Sequence, residues 1–246
     1  MKIAFCFLTI NNIENDLFYY NFFKNAYNYN IYINSKNNNN HSLFKDYVLN
    51  PSFLTKNKAD ISIVYATHYL LSKAYENKDN TIFIFLCGSN IPLINYDFLY
   101  KLIIKLDKPI IKSFNFNKKE RYFNLNTNIK NLINYHDFTK QHPNMILTRD
   151  SVKLLLDNTH YIPFFKNISC CDEHYFINLF KLLKYKYYDH QIMFCNTNLN
   201  NTQALTFNNV NINFINKLKN NGFLFLRKVN NKNNYNKKII NIIYND

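Results

Sequence analysis

The chain has 246 residues, of which 47% are hydrophobic and 17% aromatic, and it carries a formal net charge of +14. A chain of this length and composition can bury one sizeable core, which excludes an intrinsically disordered protein. The positive charge favours an anionic partner such as a nucleotide diphosphate, a nucleic acid or an acidic glycan. It does not choose among them, because the abundant Asn, Lys, Ile and Tyr residues have AT-rich codons and the charge can reflect codon usage.

The first half of the sequence alternates between strand-like and helical patterns. Apolar runs typical of buried parallel strands occupy residues 3–8, 31–33 and 81–87. Apolar residues recur at helical spacing over residues 17–23, 60–75 and 97–106. Asp60 is predicted to cap the second helix. This alternation predicts an α/β fold in which a mixed, mostly parallel central sheet is flanked by helices.

Polar residues at the predicted strand ends are candidates for binding. Ligands of such sheets bind beyond the carboxyl ends of the strands. The hydroxyl and amide groups at these positions suit ribose or sugar hydroxyls, although each residue is also an ordinary turn former. The candidates are Thr9, Asn34, Ser35, Ser89 and Asn90.

The most informative stretch is Cys-Asp-Glu-His-Tyr-Phe-Ile-Asn-Leu at residues 171–179. Asp172 is predicted to cap a helix that starts here, which places Glu173 in the first turn, near the positive end of the helix dipole. A carboxylate held in that position can accept a proton from a hydroxyl. The alternative is a capped surface helix with an acidic first turn. We expect His174 to be structural.

The later sequence adds short strands and a polar tail. Strand-like runs at residues 145–147, 192–195 and 222–226 predict further mixed strands. No repeat or linker divides the chain. We therefore predict one domain over residues 1–229, followed by an Asn/Lys-rich tail over residues 230–246 that is partly disordered.

The cysteines and the apolar runs indicate the cellular compartment in which the protein is expected. The five cysteines are odd in number and form no C-x-x-C pair, which fits a reducing compartment better than a disulfide framework. No signal peptide opens the sequence, and no run approaches the roughly 20 apolar residues of a membrane span. We expect a soluble, cytoplasmic protein, which would lie in the host cytoplasm if the gene is viral.

Seven strings along the chain resemble, in order, the core-2/I-branching β-1,6-N-acetylglucosaminyltransferase family, in particular its shorter plant and viral-type members. They include KIAFCFLT at residues 2–9, QHPNMILTR at 141–149, DEHYF at 172–176 and LFLRK at 224–228. The resemblance implies a single GT-A-like (Rossmann-like) domain. It also implies inverting, metal-independent transfer of a sugar, here N-acetylglucosamine from UDP-GlcNAc, to a carbohydrate or glycoprotein acceptor.

The resemblance assigns roles to individual residues. Glu173 matches the catalytic base of the family, and Lys228 matches a lysine that contacts the diphosphate of the donor. Arg227 would assist Lys228, because a second family arginine has no other match. Asp60 falls where relatives contact the donor nucleotide.

The remaining candidates divide into a donor side and an acceptor side. Glu120 and Arg121 resemble an acceptor-side string of the family but also fit a solvated loop, and Arg149 is similarly placed in the family. On the donor side we place Thr9, Asn34 and Ser35. On the acceptor or sugar side we place Ser89, Asn90, Glu120, Arg121 and Arg149.

The sequence bears on metal use independently of the resemblance. No two aspartates are separated by one residue, so the Asp-x-Asp pair that holds a divalent ion in many nucleotide-sugar enzymes is missing. Protein cations would then meet the charge that develops on the leaving diphosphate. We expect no metal and no cofactor, with a UDP-sugar as the donor substrate.

Three alternatives remain open at this point. The first is a related xylosyl- or glucuronosyltransferase, since no sequence feature indicates which substituent at C2 of the donor sugar is recognised. The second is a degenerate relative that only binds sugar, because the second family arginine is missing. The third is a non-enzymatic basic protein that binds glycans or nucleic acid through its cations and its 20 tyrosines. Binding of nucleic acid is not expected, because the aromatic residues lie mainly in periodic runs that a core would bury.

Overall fold

The computed structural model describes residues 1–37, 43–56, 59–196, 204–208, 210–229 and 236–244. The strands in these ranges are β1 (Lys2–Thr9), β2 (Tyr29–Ser35), β3 (Asn80–Cys87), β4 (Asn90–Pro92), β5 (Ser113–Phe114), β6 (Lys140–Gln141), β7 (Met145–Thr148), β8 (Met193–Cys195) and β9 (Phe225–Arg227). The helices are α1 (Asp16–Phe23), α2 (Ser62–Glu76), α3 (Tyr96–Ile103), α4 (Lys119–Phe123), α5 (Thr127–Lys130), α6 (Arg149–Asp157), α7 (Tyr175–Leu182), α8 (Ile212–Asn220) and α9 (Asn236–Tyr244). Short 3-10 turns cover Lys45–Tyr47, Thr159–Phe165 and Cys171–Glu173.

The main sheet has the strand order β2-β1-β3-β7. The first three strands are parallel, and β7 runs antiparallel to β3. Thr9 pairs with Ser35, and Leu8 pairs with Cys87, so β1, β2 and β3 end together at what we call the carboxyl edge. The prediction of a mixed, mostly parallel sheet flanked by helices is confirmed, and the arrangement is consistent with a GT-A-like fold.

Both faces of the main sheet are buried, as the continuous apolar strands predict. Because successive side chains of a strand alternate between its two faces, Ala4 and Phe83 pack on one side with α2, α6 and α7. Phe5 and Ile84 pack on the other side with α1 and α3. These two layers hold the carboxyl edge rigidly between them.

A second, smaller sheet brings distant segments to the carboxyl edge. Its order is β4-β9-β8, with β4 antiparallel and β8 parallel to β9. Arg227, the last residue of β9, pairs with Asn90 on one side and with Cys195 on the other. Since Asn90 follows β3 by only three residues, this pairing places Arg227 beside the carboxyl edge.

Asp60, predicted to cap α2, lies one residue before the cap position. One carboxylate oxygen of Asp60 accepts a hydrogen bond from the backbone N–H of Ser62 at 2.8 Å and another from the Ser62 hydroxyl. The helix itself begins at Ser62, and Ile61 occupies the cap position. Asp60 therefore accepts a hydrogen bond from the first backbone N–H of the helix, although it lies one residue before the cap position.

A helix occupies part of the predicted Asn/Lys-rich tail. Residues Asn236–Tyr244 form α9, and Ile239, Ile240 and Ile243 are buried against a cluster that includes Ile91 and Leu218. These isoleucines recur at helical spacing, a pattern that the Asn- and Lys-rich composition obscured. The rest of the predicted tail, at 230–235 and 245–246, lies outside the described residues.

In the described ranges, no helix is long and apolar enough to cross a membrane.

Candidate active site

Glu173 lies in the 3-10 turn that precedes α7, and not inside the helix. The helix begins at Tyr175, and its cap residue His174 makes no capping bond through its side chain. The prediction that Asp172 caps this helix is therefore wrong. The backbone N–H groups of Glu173 and His174 donate to the carbonyls of Cys170 and Cys171 at 2.9 and 3.0 Å, which is the 3-10 pattern, so the α-helix starts only after this turn.

The Asp172 carboxyl is mostly buried beside Glu173. Burial, followed by the neighbouring charge of Glu173, raises the pKa of Asp172 to about 6. Hydrogen bonds from backbone N–H groups of the turn and the charge of Arg227 oppose this shift without cancelling it. Asp172 therefore titrates close to neutral pH, whereas an ordinary aspartate is fully ionised there.

Two cations flank the Glu173 carboxylate. Its Oε2 lies 3.0 Å from the Lys140 ammonium and 3.7 Å from Nη1 of Arg121. The Lys140 contact lacks the angles of a hydrogen bond, so Oε2 is a buried acceptor without a hydrogen-bond partner among the described residues. Its charge is met by these two cations, and the side chain as a whole is 22% exposed.

The structure brings Arg121 to this carboxylate and does not leave it in a solvated loop. Arg121 lies on α4, where it is only 25% exposed, and its Nη1 donates a hydrogen bond of 2.8 Å to Nε2 of His174. Its guanidinium also lies over the ring of Phe116. Glu120, the preceding residue, is exposed and lines an open pocket with Phe123.

Arg227 is a mostly buried cation on the same side of the molecule. The ionised forms of Cys87, Cys195, Asp172 and Glu173 raise the pKa of Arg227 above its usual range, while burial opposes the shift. Its Nε has no hydrogen-bond partner among the described residues. A buried guanidinium with an unpaired donor is suited to binding an anion.

Lys228 follows Arg227 directly and is partly exposed. Its backbone carbonyl accepts a hydrogen bond of 2.7 Å from the backbone N–H of Phe207. This bond fixes the backbone at the end of β9 and leaves the ammonium group on its flexible stem.

A histidine and a thiol complete the surroundings of Arg227. Burial, together with the charge of Arg227, lowers the pKa of His142 to about 4, so this imidazole is neutral at physiological pH. Its Nε2 lies 3.3 Å from the sulfur of Cys195. Burial raises the pKa of the Cys195 thiol to about 12, so the thiol stays protonated.

Asp60 lies next to the turn that carries Glu173. The backbone N–H of Cys170 donates to the carbonyl of Ala59 at 2.9 Å, which fastens this turn to the loop before α2. The charge of Asp60 also contributes to the raised pKa of Cys171. The donor-side candidate and the candidate base are therefore neighbours.

Two donor-side candidates at the carboxyl edge fix loops through their side chains. Asn34 exchanges two hydrogen bonds with the backbone of Phe53, at 2.9 and 2.7 Å. The Ser35 hydroxyl lies 2.8 Å from the carbonyl of Asn11 in the loop after β1. These bonds position the loops of the edge, and direct contact with a ligand stays a prediction for both residues.

The other edge candidates are also buried. The Thr9 hydroxyl has no partner among the described residues, so it is available for a new hydrogen bond. Asn90 accepts a hydrogen bond of 2.7 Å from the Tyr19 hydroxyl. The carbonyl of Ser89 accepts one of 3.1 Å from the backbone N–H of Val229.

Arg149 is the one predicted site residue that lies at the opposite edge of the sheet. It follows β7, whose last residue Thr148 pairs with Ile82 near the start of β3. Its guanidinium donates to the backbone carbonyls of Asn77, Asn80 and Tyr75 at 2.9–3.0 Å. Arg149 therefore ties the end of α2 to β3.

We expect Arg149→Met to lower the free energy of unfolding by about 1.5–3 kcal/mol, because hydrogen bonds from a charged donor are lost. Activity per folded molecule should not change. Lys153→Met on the same helix is the control, since it removes only a solvent-exposed ion pair with Asp157, which contributes little to stability. Urea denaturation of both variants measures the difference. If Arg149→Met instead lost activity while its stability was unchanged, Arg149 would have a role in the active site.

Sequence reasoning did not single out Lys140, His142 or Cys195. Lys140 and His142 flank Gln141 at the start of the QHPNMILTR string, so their presence near the site was available as a signal. Cys195 ends a predicted strand, and only its pairing with Arg227 gives it a place at the site. Within the described residues, no group of three or more His, Cys, Asp or Glu side chains is arranged to hold a metal.

Comparison with known proteins identifies the family of the chain. A search of curated proteins found no match. The family model for the Core-2/I-Branching enzyme matches residues 3–219, which include the Glu173 turn and Arg121. Arg227 and Lys228 lie beyond the match, so the geometry of β9 is what places them here. Because the match spans most of the chain, the protein belongs to the Core-2/I-branching enzyme family, which is a family of glycosyltransferases that use a nucleotide-sugar donor and a carbohydrate acceptor.

Proposed function

We propose that this protein transfers N-acetylglucosamine from UDP-GlcNAc to a hydroxyl of a carbohydrate or glycoprotein acceptor, with inversion and without a divalent metal. The observation that carries the proposal is that Asp172 and Glu173 lie close enough to the mostly buried Arg227 for their charges to raise its pKa. Glu173 can accept a proton and Arg227 can bind an anion. A direct displacement needs both functions at neighbouring places.

The proposed reaction is a single displacement at the anomeric carbon. The Glu173 carboxylate accepts the proton of the acceptor hydroxyl while that oxygen forms a bond to the anomeric carbon. The bond from the anomeric carbon to the diphosphate breaks at the same time, and its electron pair leaves with UDP. Attack from the face opposite the leaving group inverts the anomeric configuration.

Cations serve both ends of this reaction. Arg227 and Lys228 are proposed to stabilise the charge that develops on the diphosphate. Arg121 and Lys140 hold the Glu173 carboxylate in place and have further N–H groups that can bind acceptor hydroxyls. Asp60, next to the Glu173 turn, is proposed to contact the nucleotide.

We expect UDP to raise the melting temperature of the protein, because a ligand at about 100 times its Kd stabilises the folded state by about 2.7 kcal/mol. Thermal-shift measurements with UDP, UDP-GlcNAc, UDP-xylose and UDP-glucuronic acid identify the donor. Single-stranded DNA is the control, since its phosphates test whether the net charge alone causes binding. Stabilisation by DNA but not by UDP would favour the basic binding protein.

We expect transfer to survive EDTA with little loss, because Arg227 and Lys228 would meet the charge of the leaving group. The assay compares the release of UDP from the donor in EDTA with its release in added manganese. A large loss that manganese restores would contradict metal independence and would make Asp172 and Asp60 candidate ligands.

A further inference from the structure

His174 joins the two segments that surround the Glu173 carboxylate. Its side chain is fully buried, and its ring stacks on that of Phe138 with centroids 4.9 Å apart. Its Nδ1 lies 3.0 Å from the carbonyl oxygen of Thr139, and its Nε2 lies 2.8 Å from Nη1 of Arg121. The same nitrogen of Arg121 contacts Glu173.

These two contacts determine the tautomer of His174. A carbonyl oxygen can only accept, so Nδ1 must carry the hydrogen that is donated to Thr139. Nε2 then has a free electron pair and accepts from Arg121. Burial lowers the pKa of His174 to about 3, so the imidazole is neutral at physiological pH and keeps this acceptor.

The carbonyl that orients His174 is itself held in place. Nδ2 of Asn178 donates to the Thr139 carbonyl at 2.7 Å, and the backbone N–H of Thr139 donates to Oδ1 of Asn178 at 3.0 Å. Lys140, the next residue, is the second cation beside Glu173. One rigid group of bonds therefore sets the positions of both cations.

We propose that neutral His174 is a positioning residue, which orients the Arg121 guanidinium toward Glu173 and toward the acceptor hydroxyl. This inference rests on the proposed transferase activity. Arg121 projects from the short helix α4, and no other hydrogen bond of its guanidinium to a side chain is found among the described residues. Without an acceptor at Nε2 the guanidinium would turn away from Glu173, and a displacement of about 1 Å can slow a reaction about 10²-fold.

Two substitutions separate the two bonds of His174. The amide of Asn reaches about as far as Nδ1, so His174→Asn keeps a donor for Thr139 and removes the acceptor for Arg121. The amide of Gln reaches about as far as Nε2, so His174→Gln keeps the acceptor and gives up the donor. We expect kcat/KM for transfer to fall about 10–100-fold in His174→Asn and only a few-fold in His174→Gln, while the Kd for UDP stays unchanged in both.

A merely structural role predicts the reverse order. If His174 only anchors the Thr139 backbone, His174→Asn retains more activity and a higher melting temperature than His174→Gln. In an Arg121→Met background the difference between the two variants should vanish, because the shared partner is gone. A difference that persists there, or equal activities in the wild-type background, overturns the proposal.

The tautomer provides a readout that does not depend on activity. Long-range proton–nitrogen NMR spectra of the unliganded protein should show His174 with a hydrogen on Nδ1 and none on Nε2, and a hydrogen on Nε2 would overturn the proposal. If the wild-type protein transfers no sugar while the tautomer is as described, the proposed function fails and the bond to Arg121 stands. If the wild-type protein is active and the order of the variants is reversed, only the role of His174 fails.

Discussion

Glu173→Gln is expected to reduce sugar transfer by about 10²–10⁴-fold, the usual contribution of a general base. The substitution keeps the size of the side chain and its ability to accept hydrogen bonds, but it removes the charge that takes the proton. The Kd for UDP should change little, because the donor contacts other groups. The melting temperature should also change little, since the side chain is 22% exposed and its contacts are ion pairs without hydrogen-bond geometry.

The control for this prediction is Glu76→Gln. Glu76 ends α2 on the surface, where it pairs with Lys73, so the variant loses the same charge away from the carboxyl edge and should transfer sugar normally. Initial rates of transfer and UDP titrations measure the two effects separately. Near-normal transfer by Glu173→Gln would show that another group takes the proton, and Asp172, with a pKa of about 6, would be tested next.

Arg227→Met should reduce transfer by about 10²–10³-fold, the range seen when one donor to a developing negative charge is removed. Unlike Glu173→Gln, this variant should also bind UDP more weakly, because a diphosphate contact is lost. Isothermal titration with UDP and initial-rate assays give the two values. The two variants are therefore distinguished by their affinity for UDP.

Two further variants serve as controls for this prediction. Lys217→Met, on the exposed side of α8, removes one positive charge from the surface and should leave UDP binding intact. Arg227→Lys keeps the charge but loses the planar fork of donors, so it should fold even if Arg227→Met does not, and should bind UDP with intermediate affinity. If Arg227→Lys and Arg227→Met both fold and both bind UDP with an unchanged Kd, Arg227 does not contact the diphosphate.

Local patterns were sufficient for the main elements, but they placed Glu173 in the first turn of a helix that begins only at Tyr175. Residues 3–8 of β1 and 81–87 of β3 are apolar at every buried position, because each strand is covered on both faces. The DEHYF string was recognisable because its five residues are contiguous in the sequence, so no knowledge of the fold is needed to find it. A frayed tail was expected because composition masked the helical spacing of Ile239, Ile240 and Ile243.

Strand direction is one property that the sequence left undecided. Residues 145–147 were predicted as a strand, and β7 confirms it. Its antiparallel pairing with β3 takes the chain away from the carboxyl edge, and this alone puts Arg149 at the opposite end of the sheet. Hydrophobicity reports that a strand is buried and carries no information on which way it runs.

The sequence by itself determined the family, the α/β class and the candidate base Glu173. Only the tertiary structure decided which cations reach that carboxylate. Arg121 and His174 are 53 residues apart and bond to each other, while Arg149, equally charged and equally close to a family string, binds backbone carbonyls elsewhere. The physical reason is that helical and strand periodicity records which face of an element is buried, whereas an ion pair depends on distances that arise only when separate elements pack together.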